Sequence, residues 1–234
     1  MFKIISKLSL YYTISETLIY NYIRQKFPDY LDKLELKKLL LACPNISPVL
    51  NEMDFFYKKI SPTSISLQER KEKGIINDVT LTYGETTWFS VVDIFNDLEL
   101  STDDVFYDLG CGSAKTVFFV NRKFNCKSIG IDKIEYFVKI SKTIVKNLQL
   151  KNINFLCSDF LNADFSNGTV FYITATCFPQ IFLEKILRNL EKTKKGTRVI
   201  IVARQLESEF LELYKVKRFG FSWAKDNVYF YRKI

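Results

Sequence analysis

The stretch Asp108-Leu109-Gly110-Cys111-Gly112-Ser113 closes a short apolar run, residues 105–108, and leads into helical spacing over residues 114–124. A strand that ends in an acid and turns through two glycines into a helix is how an open parallel sheet offers a ligand loop beyond its strand ends. Gly110 and Gly112 let the chain turn sharply and leave no Cβ in the way of a close ligand. A GxG after a strand occurs in many settings, so the neighbouring residues decide what it means. A dinucleotide loop needs a third small residue where the helix packs close to the strand. Lys115 occupies that position here.

Beyond this loop the pattern continues as strand and helix in alternation, the mark of βαβ units. Strands are expected at 128–131, 153–157, 170–174 and 198–203, and helices at 134–148 and 179–190, the last opened by Pro179. Two further apolar stretches, 211–218 and 228–232, have no helix between them, only a short polar loop with Lys225, Asp226 and Asn227. They are expected to pair as an antiparallel hairpin at the sheet edge. The expected fold is α/β: a Rossmann-like, seven-stranded, mostly parallel sheet with a C-terminal antiparallel hairpin. Upstream, helical spacing at 17–27, 31–42 and 54–60 gives an N-terminal helical extension, with Pro28 separating the first two. Residues 62–77 are polar and read as a linker, and 86–98 read as helical. The division expected is residues 1–77 as the extension and 78–234 as the ligand-binding domain.

Composition narrows the chemistry. The chain has 234 residues, 47% of them hydrophobic and 26% charged, the profile of an ordinary globular protein. Its formal net charge is +8, but the lysines are spread along the chain, and no nucleic-acid-binding motif supports such a partner. Five cysteines without a CxxC spacing argue against a disulfide framework and a zinc site, and fit a reducing compartment. With no histidine, His-based triads and His-ligated metals are excluded; no metal is expected, and acid–base work falls to carboxylates, Tyr, Lys and Cys. The N-terminal residues 1–23 read as an amphipathic helix, too broken by polar residues for a membrane span or a signal-peptide core. A cytoplasmic protein is expected.

Three acids fall at strand ends: Asp108, Asp132 and Asp159. An acid directly before the glycine loop suits a ligand with a positive centre. S-adenosylmethionine carries a sulfonium and an amino group, whereas a dinucleotide brings a diphosphate. Asp132 then sits where a carboxylate accepts ribose hydroxyls, or where it caps the helix that follows.

The residues 108–112, Asp132 and Ser158-Asp159-Phe160 resemble the motifs of class I S-adenosylmethionine-dependent methyltransferases, over about the last 130 residues. The resemblance makes Gly110 and Gly112 the methionine-side loop and Asp132 the ribose ligand. Asp159 would bind the adenine amino group and Phe160 would pack on the ring. A narrower resemblance lies in Thr82-Tyr83-Gly84-Glu85-Thr86 and in SWAKDNVYFYRK, residues 222–233. Both resemble segments of the non-SET, disruptor-of-telomeric-silencing type of protein-lysine methyltransferase. That likeness implies that Tyr83, Glu85 and Thr86 fold over the methionine moiety. It also implies that Trp223, Phe230 and Tyr231 line a channel for a substrate lysine, and that the partner is a protein. Plain strand packing is the other reading of these aromatics, and a helix N-terminal acid the other reading of Glu85. One departure stands out. After the fourth strand the family has an Asn-Asn-Phe type of sequence, and this chain has Thr174-Ala175-Thr176-Cys177-Phe178, so the substrate-orienting position passes to Thr174 or Thr176. A methyltransferase acting on a small molecule or RNA, and a non-catalytic S-adenosylmethionine-binding module, are the alternatives.

Overall fold

The computed structural model describes residues 16–234. Of the amphipathic helix read in residues 1–23, residues 1–15 lie outside the described residues, and 16–26 are helical (α1). Seven strands form one sheet: β1 (Val105–Leu109), β2 (Lys127–Asp132), β3 (Ile153–Cys157), β4 (Val170–Thr174), β5 (Arg198–Val202), β6 (Leu211–Gly220) and β7 (Lys225–Lys233). Their order is β3-β2-β1-β4-β5-β7-β6. The first five run parallel, and β7 pairs antiparallel with both β5 and β6, which completes the expected hairpin. Strand order reverses at β1, between β2 and β4, so the chain leaves β1 and β4 beside a crevice at their carboxyl ends.

The inner strands are buried on both faces, and so read as continuous apolar runs rather than alternating ones. One face carries α5 (Trp88–Asn96), α6 (Lys115–Phe124) and α7 (Glu135–Asn147). Each presents apolar residues at three- and four-residue spacing, as Phe137, Ile140 and Ile144 do on α7. The other face is covered by α8 (Gln180–Leu190) through Leu183, Ile186 and Leu190. Phenylalanine supplies much of both cores: Phe106, Phe118, Phe119 and Phe155 on the first face, Phe165 and Phe171 on the second, all buried. Full burial of such a side chain contributes roughly 1.5–3 kcal/mol.

Two upstream segments differ from the sequence reading. The helix read at 54–60 is α3 (Ser47–Tyr57), which begins earlier because Pro48 stands in its first turn, where proline is tolerated. The polar stretch read as a linker is α4 (Pro62–Glu72), opened by Ser61, whose hydroxyl accepts from Ser64 N–H at 3.1 Å. Its buried face is mostly polar, which hides it from an apolar-periodicity reading. Arg70 donates to the carbonyls of Ile76 and Asp78 at 2.5 and 2.8 Å. Glu69 accepts the first N–H groups of α7, from Glu135 at 2.7 Å and Tyr136 at 2.9 Å. Leu39 of α2 (Pro28–Ala42), with Val49 and Met53 of α3, joins the same core cluster as α5 and α6, so helices on either side of residue 77 share one interior.

Glu69→Ala leaves two N–H donors of a partly buried helix end without their acceptor, at a cost of about 2 kcal/mol. Thermal unfolding of the variant is expected to show a Tm lower by about 4–8 °C; an unchanged Tm means that the cap contributes nothing.

Candidate functional site

Beyond the carboxyl ends of β1 and β4 lies a cleft enclosing about 850 Å³ up to its open mouth. Its floor is the loop after β1. Gly110 and Gly112 have φ of 90° and 49°, in the left-handed region that favours glycine. The N–H groups of Gly110 and Cys111 both reach Ile131 O, at 2.8 and 3.1 Å, so the loop is pinned to the end of β2. A Cβ on Gly112 would lie 2.8 Å from the Tyr83 ring, so the glycine admits that ring directly over the loop.

Asp108 and Asp132 stand at the back of the cleft, only 3% and 8% exposed. Neither forms an ion pair with a described residue. Asp108 accepts from the Thr116 hydroxyl. Burial pushes its carboxyl up to about 7, against the pull of Thr116 and with a further push from the charge of Asp132. Burial likewise raises Asp132 to about 6, although the N–H groups of Ile134 and Gly112 hold it at 2.8 and 2.7 Å. Asp132 therefore caps the turn into α7 and also fastens the glycine loop. Two buried carboxyls with no ion-pairing partner among the described residues favour a ligand that brings a positive charge to them.

Residues 82–86 line the cleft on the side facing the glycine loop. Glu85 accepts from the Tyr83 hydroxyl, from Ser113 Oγ at 3.1 Å and from Lys115 Nζ at 2.7 Å. Burial pushes the Glu85 carboxyl up, but Lys115, Tyr83 and Ser113 outweigh it and hold it below the usual carboxylate range. Its partners lie in the cleft, and the N-cap of α5 is Thr87, so Glu85 is not a helix-end acid. Thr86 bonds the Tyr172 hydroxyl at 2.7 Å, which ties the loop to β4. Phe160 and Phe178, with ring centroids 5.6 Å apart, make the apolar end of the cleft.

A second cavity, enclosing about 450 Å³ up to its own mouth, opens against this cleft. Tyr83, Gly84, Thr174 and Phe178 line both spaces; Thr176, Cys177 and Trp223 belong to the second alone. The Trp223 ring fills the place of a side chain at Gly84, 2.7 Å from where a Cβ would be.

Of the residues singled out in the sequence, Tyr83, Glu85, Thr86, Asp108, Gly110, Gly112, Asp132, Phe160 and Thr174 line the cleft, and Trp223 the adjoining cavity. Asp159 lines neither; its carboxylate accepts Leu161 N–H at 3.0 Å and pairs with Lys133 at 3.3 Å. Phe230 and Tyr231 do not line the cavity, contrary to the expected channel. Phe230 is buried in the core on one face of the sheet and Tyr231 in the core on the other. The Tyr231 hydroxyl accepts Leu206 N–H at 2.8 Å and donates to Leu206 O at 3.2 Å, anchoring the loop after β5. Lys115, Tyr172 and Phe178 are among the cleft residues that escaped the sequence reading as site residues. Lys115 carried a signal, a charged residue where a dinucleotide loop needs a small one.

The family "Histone methylation protein DOT1" matches this chain over residues 60–218. The "Histone-lysine N-methyltransferase, H3 lysine-79 specific" of Caenorhabditis elegans is 30% identical over 137 residues, 51% of this chain and 14% of that protein. The carboxy-S-adenosyl-L-methionine synthase of Helicobacter pylori is 23% identical over 145 residues, 57% of this chain and 60% of that protein. This chain thus covers less than two thirds of either relative. An RNA methyltransferase from Salinibacter ruber, solved in complex with S-adenosyl-L-homocysteine, is similar at a TM-score of 0.52 and 21% identity, over 61% of this chain and 89% of that one. That likeness is one of fold.

The buried acids give a pH test. With a pKa raised to about 7, Asp108 stabilises the ligand-free fold while protonated, and this contribution is lost as pH rises through that value. A cationic amino group in the cleft has the opposite effect, because it favours the ionised acid. Calorimetry with S-adenosylhomocysteine is expected to show binding that tightens about tenfold from pH 6 to pH 8 and releases protons at the lower pH. Asp108→Asn should bind more weakly and with a flat profile. A parent profile that is flat, or that weakens with pH, contradicts this role.

Proposed function

Because the chain belongs to the family of the histone methylation protein DOT1, and is with it an S-adenosylmethionine-dependent methyltransferase, we propose that the group it methylates is a protein lysine side chain. The observation that carries this reading is the smaller cavity beside the cleft, walled by Trp223, Tyr83 and Phe178 and lined, among the described residues, by no Asp or Glu.

In this reading the cofactor lies along the cleft with its methionine end over the glycine loop. Asp108 takes the amino group, and Lys115, one of two cations lining the cleft, takes the carboxylate. Each Asp132 oxygen already accepts one N–H and has a lone pair left for a ribose hydroxyl. Phe160 and Phe178 flank the adenine. When bound, S-adenosylmethionine supplies a sulfonium-activated methyl group to a neutral amine.

The protein's own part is to deliver that amine. A lysine in water titrates at about 10.4 and must lose its proton to react, which costs roughly 4–5 kcal/mol at pH 7. A cavity without a carboxylate gives an entering ammonium no counter-charge and desolvates it, which favours the neutral form. The aromatic walls then favour the methylated cation as product. Thr174 lies in the wall shared by both spaces and offers a short hydroxyl where the family has an amide. The resemblance to the carboxy-S-adenosylmethionine synthase keeps a small-molecule acceptor as the competing outcome.

Incubation with methyl-labelled cofactor and cell extract, followed by protease or nuclease and then acid hydrolysis, tests the acceptor class. The expected result is label released by protease and recovered as N-methyl-lysine. Label released by nuclease, or held in molecules that pass a small-pore filter, overturns the proposal.

Two substitutions separate cavity from core. Trp223→Ala should leave S-adenosylhomocysteine affinity within a few-fold of the parent and lower turnover on the labelled protein by about 100-fold, since misplacement of ~1 Å costs that much. Tyr231→Phe should lower stability by about 1–2 kcal/mol through its lost bonds to Leu206, with turnover unchanged. A large turnover loss in Tyr231→Phe would return that residue to the acceptor path.

A further inference from the structure

The residues that cover the cofactor cleft and the residue that walls the acceptor cavity meet in a small antiparallel pairing far apart in sequence. Thr86 bridges Phe221. Glu85 N–H donates to Ser222 Oγ at 2.8 Å, and Ser222 N–H donates to Glu85 O at 2.8 Å. Ser222 is thus bonded through its side chain and its backbone to the residue whose carboxylate gathers Tyr83, Ser113 and Lys115. The next residue is Trp223. Its ring stacks on Phe221, with centroids 4.6 Å apart at 13°, and lies against Gly84, the residue before Glu85.

The outer side of this turn is fixed. Gly220 O accepts from Thr87 Oγ1 at 3.0 Å and from Ser90 Oγ at 2.6 Å. The Tyr20 hydroxyl of α1 donates to Phe221 O at 3.2 Å, and the Tyr20 ring occupies the space a Cβ on Gly220 would need. Arg24 donates to the Tyr20 hydroxyl at 3.0 Å and pairs with Glu35, which also accepts Trp88 N–H at 3.0 Å. With Gly220 and Phe221 held from outside, a shift of residues 84–86 passes to Ser222 and Trp223.

We propose that Ser222 is a positioning residue that couples the cofactor loop to the acceptor wall, so that filling the cleft moves Trp223. This rests on the assignment of the two cavities above. Cofactor that enters meets Lys115 and Tyr83, the groups that Glu85 holds; whatever they do, Glu85 follows, and Ser222 carries the change to the tryptophan. The enzyme then forms its acceptor cavity in full only once the methyl donor is in place, which disfavours unproductive acceptor binding.

The chain has two tryptophans, Trp88 and Trp223, so labelling with 5-fluorotryptophan gives two fluorine resonances, with Trp223 assigned by its loss in Trp223→Phe. Titration with S-adenosylhomocysteine is expected to shift the Trp223 resonance in the parent and in Ser222→Thr, which keeps the hydroxyl. In Ser222→Ala the shift should fall by at least half at saturation, while the ligand still binds. A Trp223 resonance that stays still at saturation overturns the coupling. So does one that moves as far in Ser222→Ala as in the parent, or a loss in Ser222→Ala that Ser222→Thr shares. Failure of the parent to bind S-adenosylhomocysteine at all is a separate result, which removes the cofactor reading and this proposal with it.

Discussion

Glu85 is a carboxylate only partly exposed to water, so partners must replace the hydration that its ionised form has lost. Here three do: the hydroxyls of Tyr83 and Ser113 and the ammonium of Lys115. The three come from the loop before the sheet, the turn after β1 and the start of α6. Satisfying one charge therefore fixes three pieces of chain relative to one another. The same residue's backbone pairs with Ser222 at the far end of the sequence. A fourth piece, the turn before β7, is thereby set against the first three. Closure of the cleft and placement of Trp223 both depend on this arrangement.

Asp108 and Asp132 are handled in the opposite way. Both are buried without an ion-pairing partner among the described residues, and both are pushed toward the neutral form by burial. The fold thus neutralises the acid it needs for closure and leaves two acids under-satisfied at the switch point of the sheet. Such an imbalance weakens the ligand-free protein, and a cationic ligand relieves it. Perturbed carboxylates in a cleft are where function concentrates, and their position beneath a glycine loop agrees with the family to which the chain belongs.

Much of this was legible in the sequence, for reasons that particular residues make plain. The central strands are buried on both faces, so their apolar runs announce a parallel sheet, and the missing helix between 211–218 and 228–232 announces the hairpin. Asp108, Asp132 and the two glycines follow because they sit at strand ends and turns, where side-chain type is closely constrained. The reading failed where burial is polar. Ser66, Glu69 and Arg70 face inward on α4 and satisfy backbone groups of other segments, so the helix has no apolar stripe and reads as a linker. It also failed at Phe230 and Tyr231. Neighbouring residues in a strand point to opposite faces, so the two could not wall one channel; Trp223 escapes that rule because it lies in the turn before β7. Ser222 acts through a partner distant in sequence, and spacing alone carries no trace of it; Lys115 shows in the sequence only as a charge where a dinucleotide loop needs a small residue, without its partner Glu85.

The cleft and the smaller cavity meet at a wall that includes Tyr83, Gly84, Thr174 and Phe178, and the proposed transfer from donor to acceptor runs through that junction. A crystal structure of the protein with S-adenosylhomocysteine tests it most directly. The ligand's amino group is expected within hydrogen-bonding distance of Asp108 and its ribose hydroxyls at Asp132, with the sulfur facing the cavity lined by Trp223. A ligand seated in the cleft with its sulfur facing away from that cavity, or with its amino group remote from Asp108, would contradict it.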